Sequence, residues 1–212
     1  DLNAVCSGFL YGMSVATQYI ASGVYNNILV IGADTFSKIT DWSRRDAVFF
    51  GDGAGAAVVT SANVTEGFLA YRLYTDTSNE MLGFTIPGGG SEIPLTKENM
   101  GEQYFEMNGK SVFASATKAL PKAINQVLED TGLVIDDIDI MIPHQPSIRI
   151  LQKTAEIIGL PFEKVMTNMD KYANTSGGTI PILLDELNKK GKLNKGDIVL
   201  FAAVGSGWTF GA

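Results

Sequence analysis

The chain has 212 residues, a net charge of −7 and a single cysteine. An acidic balance argues against a nucleic-acid binder, whose footprint is basic. One cysteine excludes an internal disulfide, fits a reducing compartment and, with one histidine, cannot build a cysteine/histidine zinc cluster. Hydrophobic residues make up 45% of the chain, enough for a sizeable core in one large domain or two small ones. No apolar run is long enough to span a bilayer and no signal peptide opens the chain, so a cytoplasmic protein with no membrane and no nucleic-acid partner is expected.

The stretch Ala4-Val5-Cys6-Ser7-Gly8-Phe9-Leu10-Tyr11 carries that cysteine to the start of a predicted helix. Leu2 to Val5 read as the end of a buried strand or turn. Phe9, Leu10, Met13, Ala16, Tyr19 and Ile20 then recur at helical spacing, with Gly23 as a C-cap. Unpaired N–H groups at a helix start favour a thiolate, which makes Cys6 a candidate nucleophile; a lone cysteine is more often a small buried apolar residue.

Asn27 to Ala33 is a β-branched apolar run and reads as a strand buried on both faces. Asp34 to Asp46 reads as a loop. Gly51-Asp52-Gly53-Ala54-Gly55 invites comparison with a dinucleotide fingerprint, but the following residues read as a strand where that motif needs a helix. Close backbone packing is the better reading. Phe68 to Tyr74 is a candidate strand, and Asp76 to Gln103 a long loop containing Pro87-Gly88-Gly89-Gly90. Tyr104 to Met107 is a short strand. Lys110 to Thr131 is a helix that Pro121 should kink or divide. Ile138 to Ile142 is a strand running into Pro143-His144-Gln145, and Ile148 to Ile158 an amphipathic helix. Val165 to Met169 is a short strand, Tyr172 to Gly178 a loop, Ile180 to Lys190 a helix, Asp197 to Val204 a buried strand and Trp208 to Ala212 a last strand. The alternation argues α/β, with helices on both faces of a mixed sheet. Glycine-bearing strands close both parts (FFGDGAGAAVV and LFAAVGSGWTFGA), a faint sign of two related halves. The Asn-X-Ser/Thr matches at Asn63 and Asn174 are expected to be chance.

Cys6, His144 and Asn174 each stand at an element end, where α/β proteins place their sites. An imidazole and a carboxamide can steady a developing oxyanion, although a structural histidine and a turn asparagine are the ordinary alternatives. Spacing alone does not bring the three together.

The ordered motifs Cys6-Ser7-Gly8-Phe9, Gly51 to Ala56, Pro143-His144-Gln145, Asn174-Thr175-Ser176 and Gly205 to Ala212 resemble β-ketoacyl-[acyl-carrier-protein] synthase III over essentially the whole chain. The resemblance implies a thiolase-like fold, layered α/β/α/β/α and built from two similar halves, with residues 1–65 the remainder of the first and 66–212 the second. It implies a homodimer that takes an acyl-CoA and malonyl-ACP, with CoA thioesters as substrates and no tightly bound cofactor or metal. It implies Cys6 as the acylated nucleophile and His144 and Asn174 as the pair that stabilises the malonyl enolate. The backbone N–H groups of Cys6 and Ser206 would form an oxyanion hole, Arg45 and Ser147 would contact CoA, and Arg149 would bind the carrier protein. For both arginines, solvated surface charge is the ordinary alternative. A second cysteine, as in thiolases, and a second histidine, as in elongating condensing enzymes, are both lacking. Pro146-Ser147, Gly177-Gly178 and Ser206 depart from the family's usual residues. The family's first strands and helices have no counterpart before Asp1, so a fragment is expected, and an inactive acyl or carrier-protein binding remnant stands as one alternative. A related polyketide or secondary-metabolism ketosynthase is the other.

Overall fold

The computed structural model describes residues 1–62, 67–77, 83–86, 96–98 and 103–212. Most of the expected loop 76–103, with its Pro87-Gly88-Gly89-Gly90 run, and Asn63 lie outside the described residues.

A 3-10 turn, Val5–Ser7, leads into α1 (Gly8–Ala21), followed by β1 (Asn27–Thr35), a 3-10 turn Arg45–Phe49 and β2 (Asp52–Thr60). Then come β3 (Leu73–Thr75), β4 (Phe84–Thr85), β5 (Glu106–Met107), α2 (Gly109–Thr131), β6 (Ile140–Pro143), α3 (Ile148–Ile158), the short α4 (Met169–Tyr172), α5 (Thr179–Lys189), β7 (Val199–Gly205) and β8 (Thr209–Gly211). The four-stranded sheet runs β3-β8-β7-β6, with β6 parallel to β7 and the other pairs antiparallel. β1 and β2 form a separate antiparallel pair, in register from Asn27 opposite Thr60 to Thr35 opposite Asp52.

Two apolar clusters set the layers. One packs Ala116, Leu120 and Ile124 of α2 and Ile150, Leu151 and Ala155 of α3 onto one face of the four-stranded sheet. The other places Phe9, Leu10 and Met13 of α1 and Ile180, Leu183 and Leu187 of α5 between the opposite face, at Ile142 and Ala203, and Val30 and Val59 of the β1–β2 pair. The order is therefore helices, sheet, helices, sheet. Helix, strand and antiparallel strand recur in the same sense as α1-β1-β2 and α5-β7-β8.

Several local expectations change. Residues 2–5 form no strand: Leu2 is exposed, and only Ala4 is buried. β1 is buried on one face only. Val30 and Gly32 point inward, whereas Leu29 and Ile31 are 59% and 62% exposed, opposite Val58 and Ala56. A continuous apolar run therefore does not establish two covered faces. β1 extends through Asp34 into the expected loop, because its ladder to β2 continues to Asp52. Of the Phe68 to Tyr74 segment only Leu73 and Tyr74 are strand, as the start of β3, since pairing with β8 begins at Leu73. Pro121 does not divide α2, which runs unbroken for 23 residues with the proline buried and Gly132 in the left-handed conformation at its end. Around Val165 there is a single bridge to Met141 instead of a strand, and Met169 opens α4.

The glycine run is a packing device. A Cβ on Gly53 would lie 2.8 Å from Ile182 Cδ1 and one on Gly55 2.8 Å from Ile182 N, so β2 meets the start of α5 backbone to backbone. Among the described residues no helix is long and apolar enough to cross a membrane.

Candidate functional site

Cys6 sits in the 3-10 turn just ahead of α1, and three hydrogen bonds bind that turn to itself and to β8. Ser7 N donates to Ala4 O at 2.9 Å. Ser7 Oγ donates to Thr209 O at 3.0 Å, and Thr209 Oγ1 to Ala4 O at 2.8 Å. The end of β7 lies directly against it: a Cβ on Gly205 would stand 2.9 Å from Cys6 N and 3.1 Å from Ser7 N. Glycine is required at that point because backbone meets backbone.

His144 follows β6 and continues its ladder, with His144 N donating to Ala202 O at 2.8 Å. The next residue anchors the loop. Gln145, fully buried, donates from Nε2 to Pro143 O at 3.0 Å and Met166 O at 3.1 Å, and its Oε1 accepts from Asn168 N. Asn174 is held between backbone partners on the segment before β2, donating to Phe49 O and accepting from Gly51 N, both at 3.0 Å. Its Oδ1 accepts from Ser176 N at 2.8 Å, so the carboxamide NH2 is the part left to act on a ligand.

These pieces converge. Cys6, His144, Asn174, Gly205 and Ser206 line one cavity of about 940 Å³. Ser147 and Arg149, at the start of α3, line it too, whereas Arg45 does not: it is exposed on the turn whose Val48 and Phe49 contribute to the wall. Beside the cavity Phe36 and Phe50 stack at 4.7 Å between ring centroids, and Phe84 and Phe105 at 5.4 Å. Among the described residues no cluster of three His, Cys, Asp or Glu side chains could hold a metal.

The electrostatics differ from the sequence expectation for Cys6. Burial pushes its thiol up to about 12, the Ser176 hydroxyl works against that shift, and the Asp34 carboxylate adds to it. Position at a helix start does not outweigh desolvation, because the thiolate must lose its water while the terminal N–H groups supply only a partial charge. Burial drives His144 down to about 3, with the Ser176 backbone partly offsetting it. The imidazole is therefore neutral across the physiological range. A buried thiol, a neutral imidazole and a carboxamide around one cavity suit thioester exchange and the steadying of an oxyanion.

The His144 shift has a consequence for stability. Below pH 6.5 the unfolded chain gains an imidazole proton that the native protein does not accept until about pH 3. Stability therefore falls as pH drops through that window, by up to ~1.4 kcal/mol per pH unit from this group. Urea unfolding of wild type and His144→Gln between pH 7 and 4 should show a shallower decline for the variant; parallel curves would contradict a buried neutral histidine.

Two residues at this site were not singled out in the sequence. Asp34 Oδ2 accepts from Gly177 N at 2.8 Å, tying β1 to the Asn174 loop. Ser176 is buried in the left-handed region at φ 53°. A carboxylate ending an apolar strand was the available signal for the first; the second falls within the Asn174-Thr175-Ser176 motif, but its left-handed conformation is set by the packing around it.

The family described as 3-oxoacyl-[acyl-carrier-protein (ACP)] synthase III matches residues 1–77, and its C-terminal region matches residues 128–212. A β-ketoacyl-[acyl-carrier-protein] synthase III of Desulfitobacterium hafniense is 42% identical over 100% of this chain and 65% of its own length. The crystal structure of 3-oxoacyl-[acyl-carrier-protein] synthase III from Aquifex aeolicus superposes with a TM-score of 0.87 at 40% identity, covering 100% of this chain and 64% of that one. The priming β-ketosynthase of the R1128 polyketide pathway gives 0.91 at 28%, covering 100% and 63%. The chain thus spans about 65% of the length of the curated relatives it matches. Matched in both of its parts by the same family, and sharing the thiolase-like fold of those enzymes, the chain belongs to the β-ketoacyl-[acyl-carrier-protein] synthase III family.

Proposed function

We propose that this protein catalyses the decarboxylating Claisen condensation that starts fatty-acid synthesis. The observation that carries this is the convergence of Cys6, His144, Asn174 and the Gly205-Ser206 backbone on one cavity. In the first half-reaction the Cys6 sulfur attacks the carbonyl of an acyl-CoA. The carbon–sulfur bond to CoA breaks, and the thiol proton leaves with the CoA sulfur. The backbone N–H groups of Cys6 and Ser206 steady the oxyanion, which is consistent with Gly205 packing against Cys6 N. In the second, the bond between malonyl C2 and its carboxylate breaks, CO2 departs, and the electron pair forms an enolate. His144 and Asn174 donate hydrogen bonds to that enolate oxygen. Its carbon then attacks the acyl carbonyl and expels Cys6, giving β-ketoacyl-ACP.

On this reading Ser147 and Arg149 meet the incoming thioester arm and the carrier protein at the cavity wall, and Arg45 contacts CoA from outside it. The protein is cytoplasmic and homodimeric and holds no resident cofactor, with residues 1–65 and 66–212 belonging to the two halves of the fold. A polyketide-priming role is the second reading, favoured by the backbone match to the R1128 enzyme.

Intact mass spectrometry tests the reading, on the folded chain after incubation with acetyl-CoA and longer acyl-CoAs, with the Desulfitobacterium hafniense relative as the positive control. One acyl group mapped to Cys6 and absent from Cys6→Ala is the expected result. Failure of the folded chain to take any acyl group under conditions where that relative takes one would overturn it. The acyl groups accepted distinguish the fatty-acid from the polyketide reading.

A further inference from the structure

The 3-10 turn Ser176–Gly178 packs against the turn Val5–Ser7 that carries Cys6, and Ser176 has no role in the scheme above. Its side chain is 1% exposed, and its Oγ is buried without a hydrogen-bond partner of good geometry. Its backbone sits at φ 53°, a conformation that a serine adopts only at a cost. The surroundings hold it there from several sides. Ser176 N donates to Asn174 Oδ1 at 2.8 Å, Ser176 O accepts from Thr179 Oγ1 at 2.7 Å, and the next N–H, of Gly177, donates to Asp34 Oδ2 at 2.8 Å. Gly32 of β1 closes the fourth side, since a Cβ there would stand 2.1 Å from Gly177 O.

A strained backbone and an idle buried hydroxyl are both unfavourable in the resting protein. They make sense together if the hydroxyl is aimed at a charge that is absent at rest. Cys6 is that group: it is buried on the turn Val5–Ser7, which packs directly against Ser176–Gly178, and the Ser176 hydroxyl acts to favour its ionised form. A neutral thiol is a weak acceptor, and a thiolate a strong one.

We propose that Ser176 is a positioning residue whose hydroxyl, held by the left-handed turn at 174–177, donates a hydrogen bond to the Cys6 sulfur as negative charge develops on it. The inference deepens the proposed reading by assigning the group that supports the nucleophile each time Cys6 attacks or is expelled. A donor fixed in place before the charge appears needs no reorganisation when it does.

The test is the alkylation rate of Cys6 by iodoacetamide, followed by intact mass from pH 7 to 9. It needs no acyl-CoA, so its failure is distinct from failure of the condensing reading. Ser176→Ala removes the hydroxyl. Ser176→Gly removes it and also relieves the backbone, so it folds even where the alanine variant does not. Both are expected to react about tenfold more slowly than wild type at every pH, the size of effect expected for a lost hydrogen bond to a charged group. Asp34, His144, Lys110 and Arg149, the charged or titratable groups that act on Cys6 or line its cavity, remain in both variants. A merely structural role predicts the opposite sign, because a loosened turn exposes the thiol and speeds alkylation. A rate at or above wild type in Ser176→Gly, with unchanged circular dichroism, would overturn the proposal.

Discussion

His144→Ala and Asn174→Ala are each expected to slow decarboxylation of a malonyl thioester by ~10²–10³-fold, the usual loss when one donor to an oxyanion is removed. Acylation of Cys6 should change by far less, because the proposed scheme assigns its oxyanion to backbone N–H groups. The double variant should be little worse than either single one, since the two donors act on the same oxygen as a unit. The geometry behind this expectation is specific. Asn174 Oδ1 is occupied by Ser176 N at 2.8 Å, which turns the NH2 into the free end. Burial keeps His144 neutral down to about pH 3, so in the proposed scheme it would donate as a neutral imidazole, with no cation to lose as the pH is raised. Measuring CO2 release and acyl-enzyme formation separately checks the split. Equal losses in both half-reactions would remove the enolate role from these residues.

Gly32→Ala is expected to be among the most damaging single substitutions in the chain. The added methyl would sit 2.1 Å from Gly177 O and 2.8 Å from Gly177 C, both backbone atoms with no rotamer to escape through. The strand and the turn must separate, at a cost of at least ~3 kcal/mol, the upper range for overpacking a close contact. Gly177 belongs to the turn that carries Asn174 and Ser176, so the cavity should lose its arrangement as well as its stability. Gly8→Ala is the matched control. A Cβ there meets nothing within 4 Å, and the residue is helical, so the change should be neutral or stabilising by up to ~1 kcal/mol. Urea midpoints of the two variants check the contrast, and a Gly32→Ala chain with wild-type stability would refute the close approach.

Much of the fold was legible because long periodic segments carry their own signal. The helix at residues 148–158 was read to the residue, and α1, α2 and α5 within a residue or two. The last strand, Thr209–Gly211, falls inside the expected Trp208 to Ala212, whereas the strand expected from Phe68 was too long, because Leu73–Thr75 is strand only where it meets β8. The glycines after Phe50 were correctly read as packing, since a strand follows them, but which backbone they meet was not visible.

The sequence by itself determined the alternation of helix and strand, the scarcity of cysteine and histidine that narrows the chemistry, and the ordered motifs that mark the family. These are properties of residue type and short-range spacing. Only the tertiary structure decided that residues 6, 144, 174 and 206 share a cavity, because β6, β7 and β8 carry distant segments to one end of the sheet. It also reversed the expectation for Cys6. The helix start favouring a thiolate is a local property, whereas the desolvation that holds the thiol at about 12 comes from the elements folded over it.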